Sequence, residues 1–209
     1  MAKPVIDYTL YLVTDRDLMA AETLEECIEA ACRGGTTLVQ VREKHAGTGE
    51  FIRIARSAKE VTDAFGVPLI IDDDVEVALA VGAAGVHVGQ SDLPATEVRR
   101  LVGPDMVVGV SVGSVEEALR AEADGADYLG VGAMSATATK PDAEVCTIDE
   151  ARRITLAVGI PCVLIGGVNA RTIPLFAGIP AAGYAVVSAI MAASDPEAAS
   201  RELRQAIGR

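Results

Sequence analysis

Polar side chains that interrupt short apolar runs suggest where this chain does chemistry. Gln40, Arg42 and Lys44 alternate with other residues in the segment LVQVREK. Residues two apart on a strand share a face, so all three side chains are expected to point the same way. A guanidinium beside an ammonium matches the oxygens of a phosphate group. The pattern therefore predicts a phosphate-binding surface, and the alternative is an exposed strand edge with solvated charges.

Aspartates follow two further apolar runs. Asp72, Asp73 and Asp74 come directly after PLII, and Asp92 lies shortly after GVHV. Adjacent carboxylates repel each other unless a cation binds between them. Mg²⁺ prefers hard oxygen ligands and usually takes only one or two protein carboxylates. We therefore predict Asp73 and Asp92 as Mg²⁺ ligands. Helix capping is the alternative for Asp92 and for the triplet, in which Asp74 is the residue expected to cap a helix.

Small hydroxyl residues and glycines follow the later apolar runs. They are Ser111, then Thr137 and Thr139 with Lys140 in SATATK, then Gly166 and Gly167 in IGGVN, and Ser188 in VVSAI. Hydroxyls beside a lysine form a phosphate cradle, and glycine amides beside the N-terminus of a short helix form another. A flexible loop and tight turns are the alternatives.

Covalent catalysis by a side chain is not indicated. The sequence has no serine elbow and no Cys–His pair, and His87 within GVHV is expected to be a core histidine with satisfied hydrogen bonds. The candidate residues instead favour a reaction in which a Mg²⁺-bound pyrophosphate departs.

These candidate residues must be held by strands whose carboxyl ends meet. Apolar runs typical of strands occur near 9–13, 37–42, 68–71, 85–88, 106–110, 127–131, 161–165 and 183–187. Helical patterns occur near 23–33, 49–65, 75–82, 95–102, 115–124, 147–158, 170–177 and 195–207. This alternation predicts an α/β protein, a single (β/α)8 TIM barrel over residues 1–209, with catalytic groups at the carboxyl ends of the strands. An open doubly wound sheet is the alternative, weakened because no GxGxxG opens the first helix.

Composition and charge exclude several classes of protein. Thirty acidic against eighteen basic residues give a net charge of −12, which repels nucleic acid and anionic membranes. No apolar run reaches the length of a membrane span, and the four cysteines form no CxxC pair of a zinc finger or disulfide framework. We expect a cytoplasmic protein with small-molecule substrates, without nucleic-acid or membrane partners. A homo-oligomer is compatible with the sequence.

Taken in order, the motifs resemble those of the thiamine-phosphate synthase (thiamine-phosphate pyrophosphorylase) family. The similarity runs from YLVTD at 11–15 to DPEAA at 195–199 and includes QVREK, the DDD triplet, HVGQSD, GVS, TATK, IGG and VSAI. The resemblance implies a barrel enzyme that joins hydroxymethylpyrimidine pyrophosphate to thiazole phosphate, giving thiamine phosphate and pyrophosphate. It also implies a dissociative, Mg²⁺-assisted reaction, in which a resonance-stabilised pyrimidine cation forms before the thiazole nitrogen attacks.

The same resemblance implies a role for each candidate residue. Substrate contacts are implied for Gln40, Arg42, Lys44, Asp72, Ser111, Tyr128, Thr137, Thr139, Lys140, Gly167 and Ser188. Catalytic roles are implied for Lys140, Arg42 and Ser111, and Mg²⁺ binding for Asp73 and Asp92. The pyrimidine would lie beside Tyr128, and the thiazole phosphate against Thr137, Thr139, Gly167 and Ser188.

The sequence departs from the family pattern at three positions. Asp72 stands where the family usually has Asn, Gly113 replaces a common His, and Ala136 replaces a Pro. A carboxylate at position 72 cannot donate to pyrophosphate, and it repels that anion unless a metal or a lysine intervenes. Two alternatives are therefore kept: a thiazole tautomerase, which transfers protons without Mg²⁺, and a catalytically silent homologue that binds thiamine precursors.

Overall fold

Eight parallel strands close into a barrel in a computed structural model that describes residues 3–135 and 145–208. The strands are β1 Leu10–Val13, β2 Leu38–Val41, β3 Leu69–Asp72, β4 Gly85–Val88, β5 Val107–Val112, β6 Tyr128–Val131, β7 Cys162–Leu164 and β8 Gly183–Val186. Each strand pairs with the next along the chain, and β8 pairs with β1. The predicted (β/α)8 barrel is confirmed, and the doubly wound alternative is wrong.

Helices follow the strands and cover the outside of the barrel. They are α1 Leu24–Arg33, α2 Thr48–Ala64, α3 Val75–Val81, α4 Ala95–Val102, α5 Val115–Ala123, α6 Ile148–Ala157, α7 Ser188–Met191 and α8 Pro196–Ile207. Hydroxyl caps begin several of them: Thr23, Ser114 and Thr147 each accept the backbone N–H three residues ahead. Among the described residues, no helix combines the length and apolarity needed to cross a membrane.

Alternation along each strand divides the core into two layers. On β1, Leu10 and Leu12 pack outward against the helices, whereas Tyr11 and Val13 belong to a smaller cluster inside the barrel. Tyr128 of β6 joins that inner cluster and is fully buried. Aromatic rings therefore fill the lower interior of the barrel, and the space above them stays open at the carboxyl ends of the strands.

One predicted helix is wrong in length and type. The pattern at 170–177 yields only a 3-10 turn, Ile173–Phe176. The Asn169 side chain accepts the N–H groups of Arg171 and Thr172, and the Thr172 hydroxyl donates to the Gly167 carbonyl. These local bonds compete with the helical ladder, because they hold the backbone groups that would begin a regular helix.

Candidate active site

A cavity of about 550 Å³ opens at the carboxyl ends of the strands. Most of the predicted site residues in the described part of the chain line it: Gln40, Arg42, Asp72, Asp73, Asp92, Ser111, Tyr128, Gly167 and Ser188. They come from different strands and the loops that follow them. Barrel closure thus gathers residues far apart in sequence at the end of the barrel where (β/α)8 enzymes hold their active sites.

Arg42 is held in the cavity wall by contacts on three sides. Its backbone N–H donates to the hydroxyl of the buried Thr14 at 3.0 Å. Its guanidinium lies 3.2 Å from the Asp72 carboxylate and 3.4 Å from that of Asp15. Two carboxylates therefore face the single positive charge of Arg42 before any ligand binds, so an incoming anion must compete with them. The structure thus places an arginine beside Asp72, where a metal or a lysine was considered from the sequence.

The expectation that Lys44 shares a strand face with Gln40 and Arg42 is wrong. Strand β2 ends at Val41, so the alternation of a strand does not extend to residue 44. Lys44 is exposed and lines a smaller depression, of about 290 Å³, beside the main cavity. Arg42 lines both spaces, so this depression adjoins the site.

The aspartate triplet forms a tight turn at the end of β3. Asp73 has a left-handed backbone with φ of 59°, a conformation that aspartate tolerates better than most residues. The Asp73 N–H donates to the His87 carbonyl at 2.8 Å, which fixes this turn to the end of β4. Asp74 then caps α3 by accepting the Val77 N–H at 2.9 Å. The predicted capping role of Asp74 is confirmed, and Asp73 lines the cavity.

Asp92 closes the loop after β4 and does not cap α4. One of its carboxylate oxygens accepts the Gly89 N–H at 2.7 Å, and the N-cap of α4 is Pro94. The capping alternative for Asp92 is therefore wrong. Asp73 and Asp92 line the same cavity, although no group of three or more His, Cys, Asp or Glu residues forms a metal cluster within 3–135 and 145–208.

A chain of hydrogen bonds crosses the barrel interior below the cavity. Gln40 Nε2 donates to Tyr11 Oη at 2.7 Å, and Tyr11 Oη lies 2.9 Å from Tyr128 Oη. Tyr128 Oη is 2.9 Å from His87 Nδ1, and His87 Nε2 is 2.9 Å from Ser111 Oγ. His87 is buried with both ring nitrogens bonded, as predicted, but it also lines the cavity. The chain thus connects three predicted site residues through Tyr11 and His87.

Burial controls the protonation of the two tyrosines in this chain. The pKa of Tyr11 is raised far above its usual value, mainly by loss of hydration in the barrel interior. The same cause raises the pKa of Tyr128 well above its usual value, and the neighbouring Tyr11 raises it further. Both phenols are therefore neutral hydrogen-bond donors at physiological pH.

Glycine makes room for this chain on β5. A Cβ at Gly109 would overlap both the Tyr128 ring and His87 Nδ1. Any larger residue at this position must displace one of these two side chains. The GVS segment therefore supplies Ser111 and, at Gly109, the space that the His87 and Tyr128 side chains occupy.

Glycines after β7 and the short helix after β8 form the opposite wall. Gly166 and Gly167 have positive φ angles of 93° and 69°, and a Cβ at Gly167 would overlap the Ser135 hydroxyl. Gly167 lines the cavity together with Ser188, the first residue of α7. The predicted residues Thr137, Thr139 and Lys140, with Ala136, lie outside the described residues.

The sequence reasoning missed Tyr11 as a site residue. Tyr11 lies in an apolar strand and is 2% exposed, so its type and burial resemble those of an ordinary core residue. A signal was present in the alternation of β1: Tyr11 and Val13 occupy inward positions of YLVTD, directly below the turn that holds Asp15.

Comparisons with known proteins agree with this geometry. Residues 10–190 match the family model described as thiamine monophosphate synthase. Thiamine-phosphate synthase from Clostridium beijerinckii is 55% identical over 202 residues, 97% of each chain. The enzyme of the same name from Clostridium botulinum is 53% identical over 203 residues, covering 97% of this chain and 95% of the relative.

Solved structures show the same relationship. Thiamine phosphate pyrophosphorylase from Pyrococcus furiosus superposes with a TM-score of 0.89 at 38% identity, covering 97% of this chain and 96% of the other. A 3-hexulose-6-phosphate synthase, with a TM-score of 0.67 and 21% identity over 95% of this chain and 99% of the other, shares the fold alone. By the family model, the identities and the barrel, this chain belongs to the thiamine monophosphate synthase family, whose members are transferases of thiamine biosynthesis.

Proposed function

We propose that the protein joins hydroxymethylpyrimidine pyrophosphate to thiazole phosphate, forming thiamine phosphate and releasing pyrophosphate. The observation that carries this proposal is that Arg42, Asp73 and Asp92 line one cavity at the carboxyl end of the barrel. A cation for phosphate oxygens and two hard oxygen donors for a divalent ion are the groups that a bound diphosphate needs. Membership of the family supports the choice of the two substrates.

Arg42 is the residue of the described chain best placed to bind the pyrophosphate. Its contacts with Asp15 and Asp72, at 3.4 and 3.2 Å, are long for charge-assisted hydrogen bonds, so an anion can replace one of them. Asp72 then orients the guanidinium rather than touching the pyrophosphate itself. The neighbouring Lys44 contributes positive charge from the adjoining depression.

Asp73 and Asp92 fit a Mg²⁺ ion by the chemistry of their donors. Both offer carboxylate oxygens at the cavity, and Mg²⁺ usually takes one or two carboxylates and completes its shell with phosphate oxygens and water. Hydrogen bonds fix both residues in place: the Asp73 backbone N–H donates to β4, and the Asp92 carboxylate accepts the Gly89 N–H. When bound, the ion neutralises charge on the diphosphate.

A dissociative reaction suits these groups. The bond between the pyrimidine methylene carbon and the pyrophosphate oxygen breaks, and both electrons leave with the oxygen. The thiazole nitrogen then donates its lone pair to the carbon and forms the new C–N bond. Negative charge grows on the departing oxygens, so Arg42 and Ser111 stabilise the transition state more than the bound substrate.

A pyrophosphate-release assay tests the proposal. We expect the protein to release pyrophosphate and form thiamine phosphate only when both substrates and Mg²⁺ are present. A silent homologue would bind the substrates without turnover, and a tautomerase would release no pyrophosphate; either result overturns the proposal. The tautomerase is further disfavoured at position 113, because Gly113 has no side chain to transfer a proton and its backbone N–H donates to Glu117 at 2.7 Å.

A further inference from the structure

One direction of the hydrogen-bond chain below the cavity gives an acceptor to every proton from Gln40 to His87. The Gln40 amide nitrogen can only donate, so the Tyr11 oxygen accepts from it. Tyr11 has a single hydroxyl proton, which must then go to the Tyr128 oxygen. Tyr128 in turn donates its proton to His87 Nδ1. His87 therefore has a lone pair on Nδ1 and its proton on Nε2.

The same direction of the chain determines which hydrogen bonds the Ser111 hydroxyl can make. His87 Nε2 donates to Ser111 Oγ, so the serine oxygen is already an acceptor within the chain. The hydroxyl proton of Ser111 has no partner among these four residues, and Ser111 lines the cavity. That proton is consequently available to an acceptor in the cavity.

We propose that Tyr11 and His87 are positioning residues that set Ser111 as a hydrogen-bond donor to the pyrimidine pyrophosphate. The identity of this substrate rests on the proposed function, whereas the direction of the chain does not. The acceptor is either an oxygen of the departing pyrophosphate or a ring nitrogen of the pyrimidine. Both present a lone pair, and a group that itself donates, such as an amino group, is disfavoured at this point.

Packing makes the arrangement rigid. The Tyr128 ring lies 4.8 Å from the Tyr8 ring, 6.1 Å from the Tyr11 ring and 5.4 Å from the His87 ring, measured between centroids. Gly109 leaves just the room that Tyr128 and His87 need. Reversing the chain requires every proton to move and the Gln40 amide to turn over. In a buried network these changes must occur together, so one direction persists.

Imidazole ¹⁵N chemical shifts test the direction without substrate. The chain has two histidines, and a His45→Gln variant assigns the remaining signals to His87. We expect the ligand-free protein to carry the His87 proton on Nε2. In Gln40→Glu, at a pH where the introduced carboxyl is ionised, this side chain can only accept, so the chain should reverse and the proton should move to Nδ1. A wild-type proton on Nδ1, or an unchanged tautomer in Gln40→Glu, overturns the proposal.

Steady-state kinetics of a matched pair of substitutions test whether Tyr11 positions Ser111. Tyr11→Phe removes one link, so both tautomers of His87 should be populated and kcat should fall about 10-fold with KM nearly unchanged. Tyr8→Phe removes a hydroxyl from the same aromatic cluster, outside the chain, and should leave kcat within about 2-fold. Equal kcat values for the two variants contradict the positioning role.

Binding of inorganic pyrophosphate with Mg²⁺ to Ser111→Ala identifies the acceptor. Weaker binding than in the wild type indicates a phosphate oxygen, and unchanged binding indicates the pyrimidine ring. If neither substrate turns over in the wild type, the proposed function fails while the histidine tautomer still decides the direction of the chain.

Discussion

The two ends of the barrel use the same kinds of charged residue for different purposes. At the amino ends of the strands, Arg99 donates to the carbonyl oxygens of Gly103, Met106 and Gly125. It also pairs with Asp127 at 2.5 Å. These contacts join the end of α4 to the starts of β5 and β6. Protein atoms supply the partners of this guanidinium, so its charge stabilises the fold.

At the carboxyl ends of the strands, charge faces a cavity instead. Arg42 is shared between Asp15 and Asp72 over longer distances, and Asp73 and Asp92 line the mouth. A residue whose partners are close and internal contributes to stability, whereas one with long, exchangeable contacts beside a cavity is suited to binding. The comparison predicts that substitutions at the two ends separate activity from stability.

The largest effect is expected from Asp92→Ala. Turnover should fall by about 100-fold or more, because one oxygen donor of the proposed Mg²⁺ site is lost. Pyrophosphate release measures the rate, and thermal unfolding should show little change in Tm. Asp124→Ala, at the opposite end of the barrel, is the matched carboxylate control and should keep wild-type turnover. An unchanged rate in Asp92→Ala removes this residue from the metal site.

Arg99→Ala should have the opposite effect: it should lower stability and leave turnover nearly unchanged. Losing its hydrogen bonds leaves carbonyl groups without this donor, and Asp127 keeps Lys3 and the Val108 N–H as partners of its side chain, at a cost of about 2–4 kcal/mol in the free energy of unfolding. Below its Tm, the variant should keep kcat within about 3-fold of wild type. Arg100→Ala is the control, because Arg100 pairs with Glu97 on the exposed face of α4 and should not matter measurably. A large loss of kcat in a folded Arg99 variant contradicts the assignment of Arg99 to stability alone.

Asp72→Asn tests the role of the carboxylate that pairs with Arg42 at the carboxyl end of the barrel. The substitution removes one of the two carboxylate charges that face Arg42 and so frees the guanidinium for the diphosphate. Activity should therefore be preserved or improved by about 2- to 10-fold in kcat/KM. Steady-state kinetics with the pyrimidine substrate varied measure this change. A collapse of activity instead shows that the carboxylate has a task of its own, such as ligating a metal.

The smallest effect concerns pH and the aromatic interior between the two ends. Burial raises the pKa of Tyr8, Tyr11 and Tyr128 above the usual 10.0, so in the unfolded chain these phenols lose their protons first. Stability from their burial is complete below pH 10 and declines as the pH rises further. Ultraviolet titration of folded and urea-unfolded protein measures this: tyrosinate should appear at higher pH in the folded protein. Coincident titration curves contradict the burial effect.

The architecture was predictable because it repeats. Apolar runs and helical patterns alternate along the whole chain, and eight such units favour a (β/α)8 barrel over an open sheet. The capping role of Asp74 was predictable too, since it depends only on the few residues that follow it. The helix expected at 170–177 failed because the side chains of Asn169 and Thr172 bind local backbone groups, which periodicity does not register.

The site was predictable where it depends on residues at strand ends and unpredictable where it depends on contacts across the barrel. Lys44 was placed with Gln40 and Arg42 because the end of β2 could not be located to within three residues. Tyr11 was missed because its partner Tyr128 is 117 residues away in sequence. Only closure of the sheet makes them neighbours, and no local pattern contains that information.

The tyrosine-filled interior has a consequence for the order of events during turnover. Tyr8, Tyr11 and Tyr128 plug the lower half of the barrel, so reactants and products share the opening above them. In the proposed coupling, both substrates bind in this cavity together, and both products leave through the same opening. Each product should therefore compete with incoming reactants for the same entrance.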